Sequence, residues 1–473
     1  MQGGSQKDRN WKVHFLRSLL FKSPIIFAAL LAVFAPRAAH SEARLVIEAD
    51  SGKVLEAENA TVPWYPASVT KLMTAYVTLQ AVKDGKLTLD TLLTVSPTAA
   101  SQSPSKMGFR PGTRVTVDNA LKMMLVKSAN DMAVVLAEGV GGSIDGFSGM
   151  MNQTAQKLGM TQTSYVNPNG LPADGQITSA RDLAILARAI IKNLPEYEYY
   201  VHIPSIRFGK RITQNFNRLI GRYPGADGFK TGFICASGYN LVASATRDGR
   251  RLIAVVLGAS SGTARSVRAA QLLDRGFGSN GLAWLKPSLG TVDQLKPIDA
   301  SPPNLREEVC SGKRHRPASD EDDTPIAGIG NSGSASAAGD GANSNTMFLA
   351  SNLQAPLPKP SEWLAAPPAP SEPVVVYTGP TRSGAALVAA VAADSASQDT
   401  ARKRGKRSHV AKKQDAAEPK SAEAKADGKP AATRHASVKP ATDASAKPKS
   451  ASNKPAPKTA AKPKAKSDSK PAS

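Results

Sequence analysis

Ser68 and Lys71 stand three residues apart in Pro66-Ala67-Ser68-Val69-Thr70-Lys71-Leu72-Met73-Thr74. Positions i and i+3 share a helix face, so on a helix the Ser68 hydroxyl meets the Lys71 amine. That is a nucleophile with its own base. Two more groups follow in order, Ser128-Ala129-Asn130 and Lys230-Thr231-Gly232. A lysine acts as a base only when neutral, and its ordinary pKa is ~10.4. Burial against an apolar helix and a second cation both push it down, and Lys230 supplies that cation. Ser128 suits a proton relay to a leaving amine. Asn130 suits a substrate amide, because its side chain both donates and accepts.

The third group reads as a strand. A strand edge holds an extended peptide through main-chain bonds, with Lys230 and Thr231 facing the substrate and Gly232 allowing close backbone approach. An oxyanion hole needs two N–H donors, for which Ser68 and Phe233 are the candidates. Each group alone has a plainer reading: Ser68 as a helix cap, Ser128 and Asn130 as punctuation between helices, Lys-Thr-Gly as a strand end. Ser103–Lys106 and Ser467–Lys470 repeat the first spacing without opening an apolar helix. The ordered triple is what favours acyl transfer.

These groups need elements to position them. Pro66 suits a helix start and not its interior. Leu72, Met73, Tyr76, Val77, Leu79 and Val82 continue at helical spacing, and Asp84-Gly85 ends the run. Arg44–Glu48 and Val54–Ala57 read as strands around an Asp50-Ser51-Gly52-Lys53 turn. Asp118 is the expected N-cap of the helix that delivers Ser128. Helices follow over 132–140, over 144–158 with Gly159 as its stop, and from a Thr178-Ser179 cap through Ile191. The pattern then alternates: Gly228–Phe233, Tyr239–Ala245 and Leu252–Leu257 read as strands, and 265–277 as a closing helix. The expected fold is α/β (α+β). An antiparallel sheet joining the N- and C-terminal strands is flanked by helices, with a helical insert between.

Composition divides the 473 residues further. The net charge is +22, but residues 401–473 hold 20 lysines and arginines against 6 aspartates and glutamates. This basic Lys/Ala/Pro-rich tail is expected to be disordered. Residues 286–400 read as a low-complexity linker, with Pro373–Tyr377 a short extended piece that nothing visibly packs on. Residues 1–41 read as a signal peptide: a basic start, an apolar run from Ile25 to Ala35, and Ala39-His40-Ser41 as a cleavage site. The run is shorter than the roughly 20 residues a spanning helix needs. That leaves 42–285 as the catalytic domain. The chain carries two cysteines, Cys235 and Cys310, and six histidines. None has metal-ligand spacing, so neither a metal nor another cofactor is expected. In an oxidising compartment the cysteines could pair. A free, partly buried Cys235 is the preferred expectation, because Cys310 falls in a weakly patterned region.

At these residues the chain resembles a D-alanyl-D-alanine carboxypeptidase of the low-molecular-mass penicillin-binding proteins, serine peptidase family S11. The likeness includes Asp131 after the second group, Asn167-Pro168-Asn169-Gly170-Leu171, and Asp227-Gly228-Phe229 leading into the third. It covers roughly residues 42–280. Ala129 departs from the common glycine. The usual C-terminal β-rich domain and amphipathic anchor helix are not recognised.

The resemblance implies a β-lactamase/transpeptidase-like fold. It implies removal of the terminal D-alanine from peptidoglycan stem peptides in the periplasm or cell envelope, with β-lactams as covalent inhibitors. Ser68 is then the nucleophile, Lys71 the proton acceptor and Ser128 the second active-site serine. Substrate binding falls to Asn130, Lys230, Thr231, Gly232 and Phe233, and Arg265 helps hold the terminal carboxylate. The alternatives are a D,D-endopeptidase using the same residues and a non-catalytic wall-binding scaffold. A β-lactamase is disfavoured, since its second group is usually Ser-Asp-Asn. For the basic tail the sharper reading is attachment to anionic envelope material. Nucleic acid is not expected as a partner.

Overall fold

A computed structural model describes residues 42–278, 287–311 and 359–398. Its centre is a five-stranded antiparallel sheet in the order β2-β1-β9-β8-β7. The strands are β1 (Ala43–Glu48), β2 (Val54–Glu58), β7 (Ala226–Ile234), β8 (Gly238–Arg247) and β9 (Arg250–Ala259). The N-terminal hairpin therefore joins the C-terminal meander, as the alternating segments at the two ends of the domain predict. β9 is central, with every residue from Leu252 to Ala259 buried. Side chains on a strand alternate between faces. Ile253, Val255 and Leu257 accordingly enter one core, while Leu252, Ala254 and Val256 enter the other. The second core is covered by helix Gly262–Gly278 through Ala269, Leu272 and Leu273.

The helical insert lies between β2 and β7 and includes a small antiparallel pair, β3 (Leu92–Thr94) and β4 (Arg114–Thr116). In chain order it holds α1 (Lys71–Lys83), α2 (Pro97–Ser101), α3 (Val117–Val126), α4 (Asn130–Gly141), α5 (Ile144–Lys157) and α6 (Ala180–Asn193). The closing helix over β9 is α7. α1 is buried along almost its whole circumference, including Thr74, Ala75, Tyr76 and Thr78. It is thus a central helix, not a surface helix with one apolar stripe. α5 and α6 are capped by Ser143 and Ser179, whose hydroxyls accept from Gly146 N and Asp182 N. The cap of α3 is Thr116, not Asp118. The Thr116 hydroxyl accepts from Asn119 N, while Asp118 sits in the first turn and binds Lys122 and the Tyr200 hydroxyl.

The expected linker is the part that differs most. Val292 N donates to Gly52 O, Val54 N donates to Gly290 O, and Val292 is fully buried. α8 (Arg306–Cys310) is tied to the end of β7 by a disulfide between Cys235 and Cys310. The expected free thiol is therefore incorrect. α9 (Pro360–Ala365) packs Leu364 into the core under α7. β10 (Val374–Val376) adds in parallel to β5 (Ser205–Phe208) of a small sheet completed by β6 (Arg211–Gln214). A helix spans residues 384–398, and the Gln398 amide there donates to Phe208 O. The extended piece at 373–377 thus has a partner, but that partner is nearly 170 residues earlier in the chain. No local pattern can announce such a pairing. The expected signal peptide and basic tail lie outside the described residues.

Candidate active site

Ser68 lies in a single 3-10 turn, Ala67–Thr70, that runs straight into α1. Two anchors fix this turn against the sheet. Trp64 Nε1 donates to Ser237 O at 3.0 Å, and Asn240 Nδ2 donates to Tyr65 O and Pro66 O at 2.9 and 3.2 Å. Lys71 follows one helical turn later and is wholly buried. Its Nζ lies 2.9 Å from Ser68 Oγ, 2.7 Å from Asn130 Oδ1 and 2.7 Å from the carbonyl of Asn169. The contact predicted by the i, i+3 spacing is therefore present.

The link between α3 and α4 delivers the second group. Ser128 takes a left-handed backbone with φ +60°, uncommon for a residue with a side chain. Such conformations persist where the surroundings enforce them, and they concentrate at functional sites. Asn130 opens α4. It spends Oδ1 on Lys71, and its Nδ2 donates to Ser103 O at 3.0 Å, so the structure gives it a direct part in orienting the lysine. Asp131 next to it accepts from Met107, Gly108 and Met132 N–H groups, which pins the 103–108 loop over the site. Burial pushes the Asp131 carboxyl above the usual carboxylate range, against the lowering effect of those hydrogen bonds.

The third group lies on β7, packed directly against the Ser68 turn. A Cβ added at Gly232 would sit 2.9 Å from both Ser68 N and Val69 N and 3.0 Å from Pro66 O. Only a residue without a side chain permits that approach. Lys230 is buried, and its Nζ lies 3.0 Å from Thr231 O. Two hydroxyls stand out. Ser128 Oγ and Thr231 Oγ1 are buried without a hydrogen-bond partner. Buried hydroxyls are nearly always satisfied, and these two belong to the second and third groups of the sequence pattern. Arg265 reaches the back of the same strand. It is buried over the Tyr239 ring, with long contacts of 3.4 Å to Gly232 O and 3.5 Å to Asn240 O.

These elements enclose a cleft of about 280 Å³. Its floor includes Ser68, Ser128 and Asn130, and one wall is Phe233, Ile234 and Cys235 of the β7 edge and its continuation. Gly170, Leu171 and Pro172 also line it. Among the expected site residues, Ser68, Ser128, Asn130 and Phe233 line it directly, Lys71 lies beneath, and Arg265 stands behind β7.

The Asn167–Leu171 loop, named above only as part of the family likeness, supplies a partner of Lys71 through Asn169 O. Gly170 makes the fit possible. With φ +80°, it brings the backbone so close to the Ser68 turn that a Cβ would fall 1.8 Å from Ala67 O. Asn-Pro-Asn-Gly is a recognisable turn signal, but nothing local says what the turn touches. Asn240, which anchors the Ser68 turn, and Phe216 and Arg306, which also line the cleft, were likewise not anticipated.

The match to known proteins follows this geometry. Residues 31–261 match the D-alanyl-D-alanine carboxypeptidase family, peptidase family S11. D-alanyl-D-alanine carboxypeptidase DacC of Escherichia coli is 41% identical over 267 residues, which is 55% of this chain and 66% of that protein. DacF of Bacillus subtilis is 36% identical over 274 residues, 54% of this chain and 70% of that protein. The chain belongs to the D-alanyl-D-alanine carboxypeptidase family. The S11 match ends before α8, so the 287–311 and 359–398 segments lie outside it. The crystal structure of the carboxypeptidase DacD from Francisella tularensis covers 50% of this chain and 70% of its own, at 33% identity and a TM-score of 0.49. Among the described residues, no helix is long and apolar enough to cross a membrane.

Proposed function

We propose that this S11 member removes the terminal D-alanine from peptidoglycan stem peptides through an acyl-enzyme on Ser68. The observation that carries the reading is the set of three contacts made by Lys71. A neutral amine has two N–H bonds and one lone pair besides its bond to Cε. The two 2.7 Å contacts, to Asn130 Oδ1 and Asn169 O, are acceptors that use both N–H bonds. With Lys71 neutral, its lone pair is left for Ser68 Oγ, 2.9 Å away, and can take the hydroxyl proton. This is the arrangement a base requires.

Ser68 Oγ attacks the carbonyl of the penultimate D-alanine and its proton passes to Lys71. The N–H groups of Ser68 and Phe233 stabilise the oxyanion, each donor of this kind contributing ~10²–10³ in rate. The tetrahedral intermediate collapses as the leaving amine takes a proton through Ser128 Oγ, and D-alanine departs. Water then enters and adds to the ester carbonyl as Lys71 takes its proton, and Lys71 returns that proton to Ser68 Oγ as the ester bond breaks. Thr231 Oγ1 and Lys230 hold the terminal carboxylate before it leaves. β-Lactams would acylate the same hydroxyl, their amide mimicking the scissile bond.

Release of free D-alanine from a pentapeptide ending in D-Ala-D-Ala tests this, comparing the protein with its Ser68→Ala variant. Release by the parent alone is expected. No release, with penicillin still bound covalently at Ser68, would replace the reading by a cross-link endopeptidase. Neither release nor labelling would leave the wall-binding scaffold.

A further inference from the structure

The cleft carries a cation that none of the three groups supplies. Arg306 lines it, as does Cys235. It lies on α8, outside the residues that match the family. Two links hold it there. The Cys235–Cys310 disulfide fastens α8 to the end of β7, with Cα atoms 5.7 Å apart. Leu305 is buried, and its N–H donates to Ala236 O at 3.0 Å. The Arg306 main chain is fixed by Asn304 Oδ1, 3.1 Å from its N–H. The side chain itself is exposed to the cleft.

The direction of β7 says what this cation meets. In the proposed reading, the substrate carboxylate lies at Lys230 and Thr231, and the attacked carbonyl at the Ser68 and Phe233 amides. An extended peptide advances about 3.3 Å per residue along a strand. The residues upstream of the acylated D-alanine therefore run past Ile234 and Cys235 toward Arg306. A guanidinium suits a carboxylate, because its planar fork matches the two oxygens.

We propose that Arg306 is a specificity-determining residue, held at the cleft by the Cys235–Cys310 bridge, that binds a side-chain carboxylate on the third residue of the stem peptide. The favoured substrate class is then stem peptides whose third residue carries a side-chain carboxylate. This rests on the carboxypeptidase reading and adds the determinant of its substrate choice.

The test uses two pentapeptides ending in D-Ala-D-Ala that differ only in whether the third side chain ends in a carboxylate or the matching carboxamide. At an exposed cleft edge, a charge-assisted contact corresponds to about a five- to tenfold preference. The parent is expected to favour the carboxylate peptide by that factor in kcat/KM, mainly through KM. Arg306→Ala should bring the ratio near one, Arg306→Lys should retain part of it, and the Cys235→Ser/Cys310→Ser pair should lower it as well. The acylation rate of Ser68 by a penicillin with an uncharged side chain reports that the site is intact in each variant. A parent ratio of one, or a ratio that survives Arg306→Ala, overturns the proposal and leaves the carboxypeptidase reading standing. Hydrolysis of neither peptide by the parent overturns both.

Discussion

Removing the bridge between Cys235 and Cys310 should destabilise the whole domain, and the size of the loss follows from the loop it closes. The two cysteines are 75 residues apart, and the segment between them contains β8, β9 and α7. In the unfolded chain the bridge forbids most separations of its ends. The chain-entropy relation for a loop of that length gives about 4.5 kcal/mol at 25 °C. Measured losses for native disulfides are about 2–5 kcal/mol, so the estimate sits near the upper end. Non-covalent contacts that hold the ends together, such as Leu305 N to Ala236 O, survive in the variant. They act in the folded state and leave this entropic term untouched. The double variant Cys235→Ser/Cys310→Ser, unfolded in urea and followed by circular dichroism, should therefore show a markedly lower midpoint. By heat, a loss of about 4.5 kcal/mol corresponds to a midpoint drop of roughly 10–15 °C for a domain of this size. Reduction of the parent with a thiol should reproduce the shift, and the variant should be insensitive to it. A variant whose midpoint and slope equal those of the oxidised parent would refute the reasoning, because it would mean the closed loop restrains nothing in the unfolded chain.

Three further outcomes follow from the packing. Gly232→Ala places a methyl group against Ser68 N, Val69 N and Pro66 O, so β7 and the Ser68 turn must part. Acylation by fluorescent penicillin should slow about 10–100-fold, since small displacements of reacting groups cost that much, and a parental rate would contradict the close approach. Burial raises the Glu48 carboxyl, but Arg250 with Ser51 and Lys53 outweighs it and leaves it below the usual carboxylate range. Its stabilising effect is therefore present above the unfolded value and lost as pH falls through the folded one. Glu48→Gln should cost about 0.5–1 kcal/mol at neutral pH, as befits a partly exposed pair, and the gap to the parent should close on acidification. A gap that widens in acid, measured by urea unfolding at several pH values, would reverse the sign. Finally, Val376 is fully buried in β10. Val376→Asp should destabilise by about 2–4 kcal/mol and expose the 359–398 segment to limited proteolysis, whereas unchanged protection would show that β10 contributes no folding energy.

The Ser68–Lys71 contact was legible in the sequence because its information is local. A helical i, i+3 pair needs only a helix, and the apolar spacing after Lys71 supplies one, so Ser68 and Lys71 meet as expected. Alternation over 239–257 is likewise a local signal, which is why the antiparallel sheet joining the first two strands to the later ones was expected, although its strand order was not. Boundaries were less certain, as Thr116 in place of Asp118 at the α3 cap shows. Both residue types can cap, and only the backbone angle chooses between them.

The tertiary structure alone decided which distant groups complete the site. The third contact of Lys71 is a main-chain carbonyl, Asn169 O, and every residue has a carbonyl, so composition cannot mark the one that matters. Asn130 shows the same limit: its amide was assigned to the substrate, but its distance to Lys71 depends on how α4 packs on α1. Cys310 and Val374–Val376 sit in stretches with little periodicity, and their partners, Cys235 and β5, lie 75 and nearly 170 residues away. Local pattern reports the preference of a segment for a helix or a strand. Which surface covers it is settled by burial across the whole chain, and that is why the C-terminal segments read as linker and fold as part of the domain.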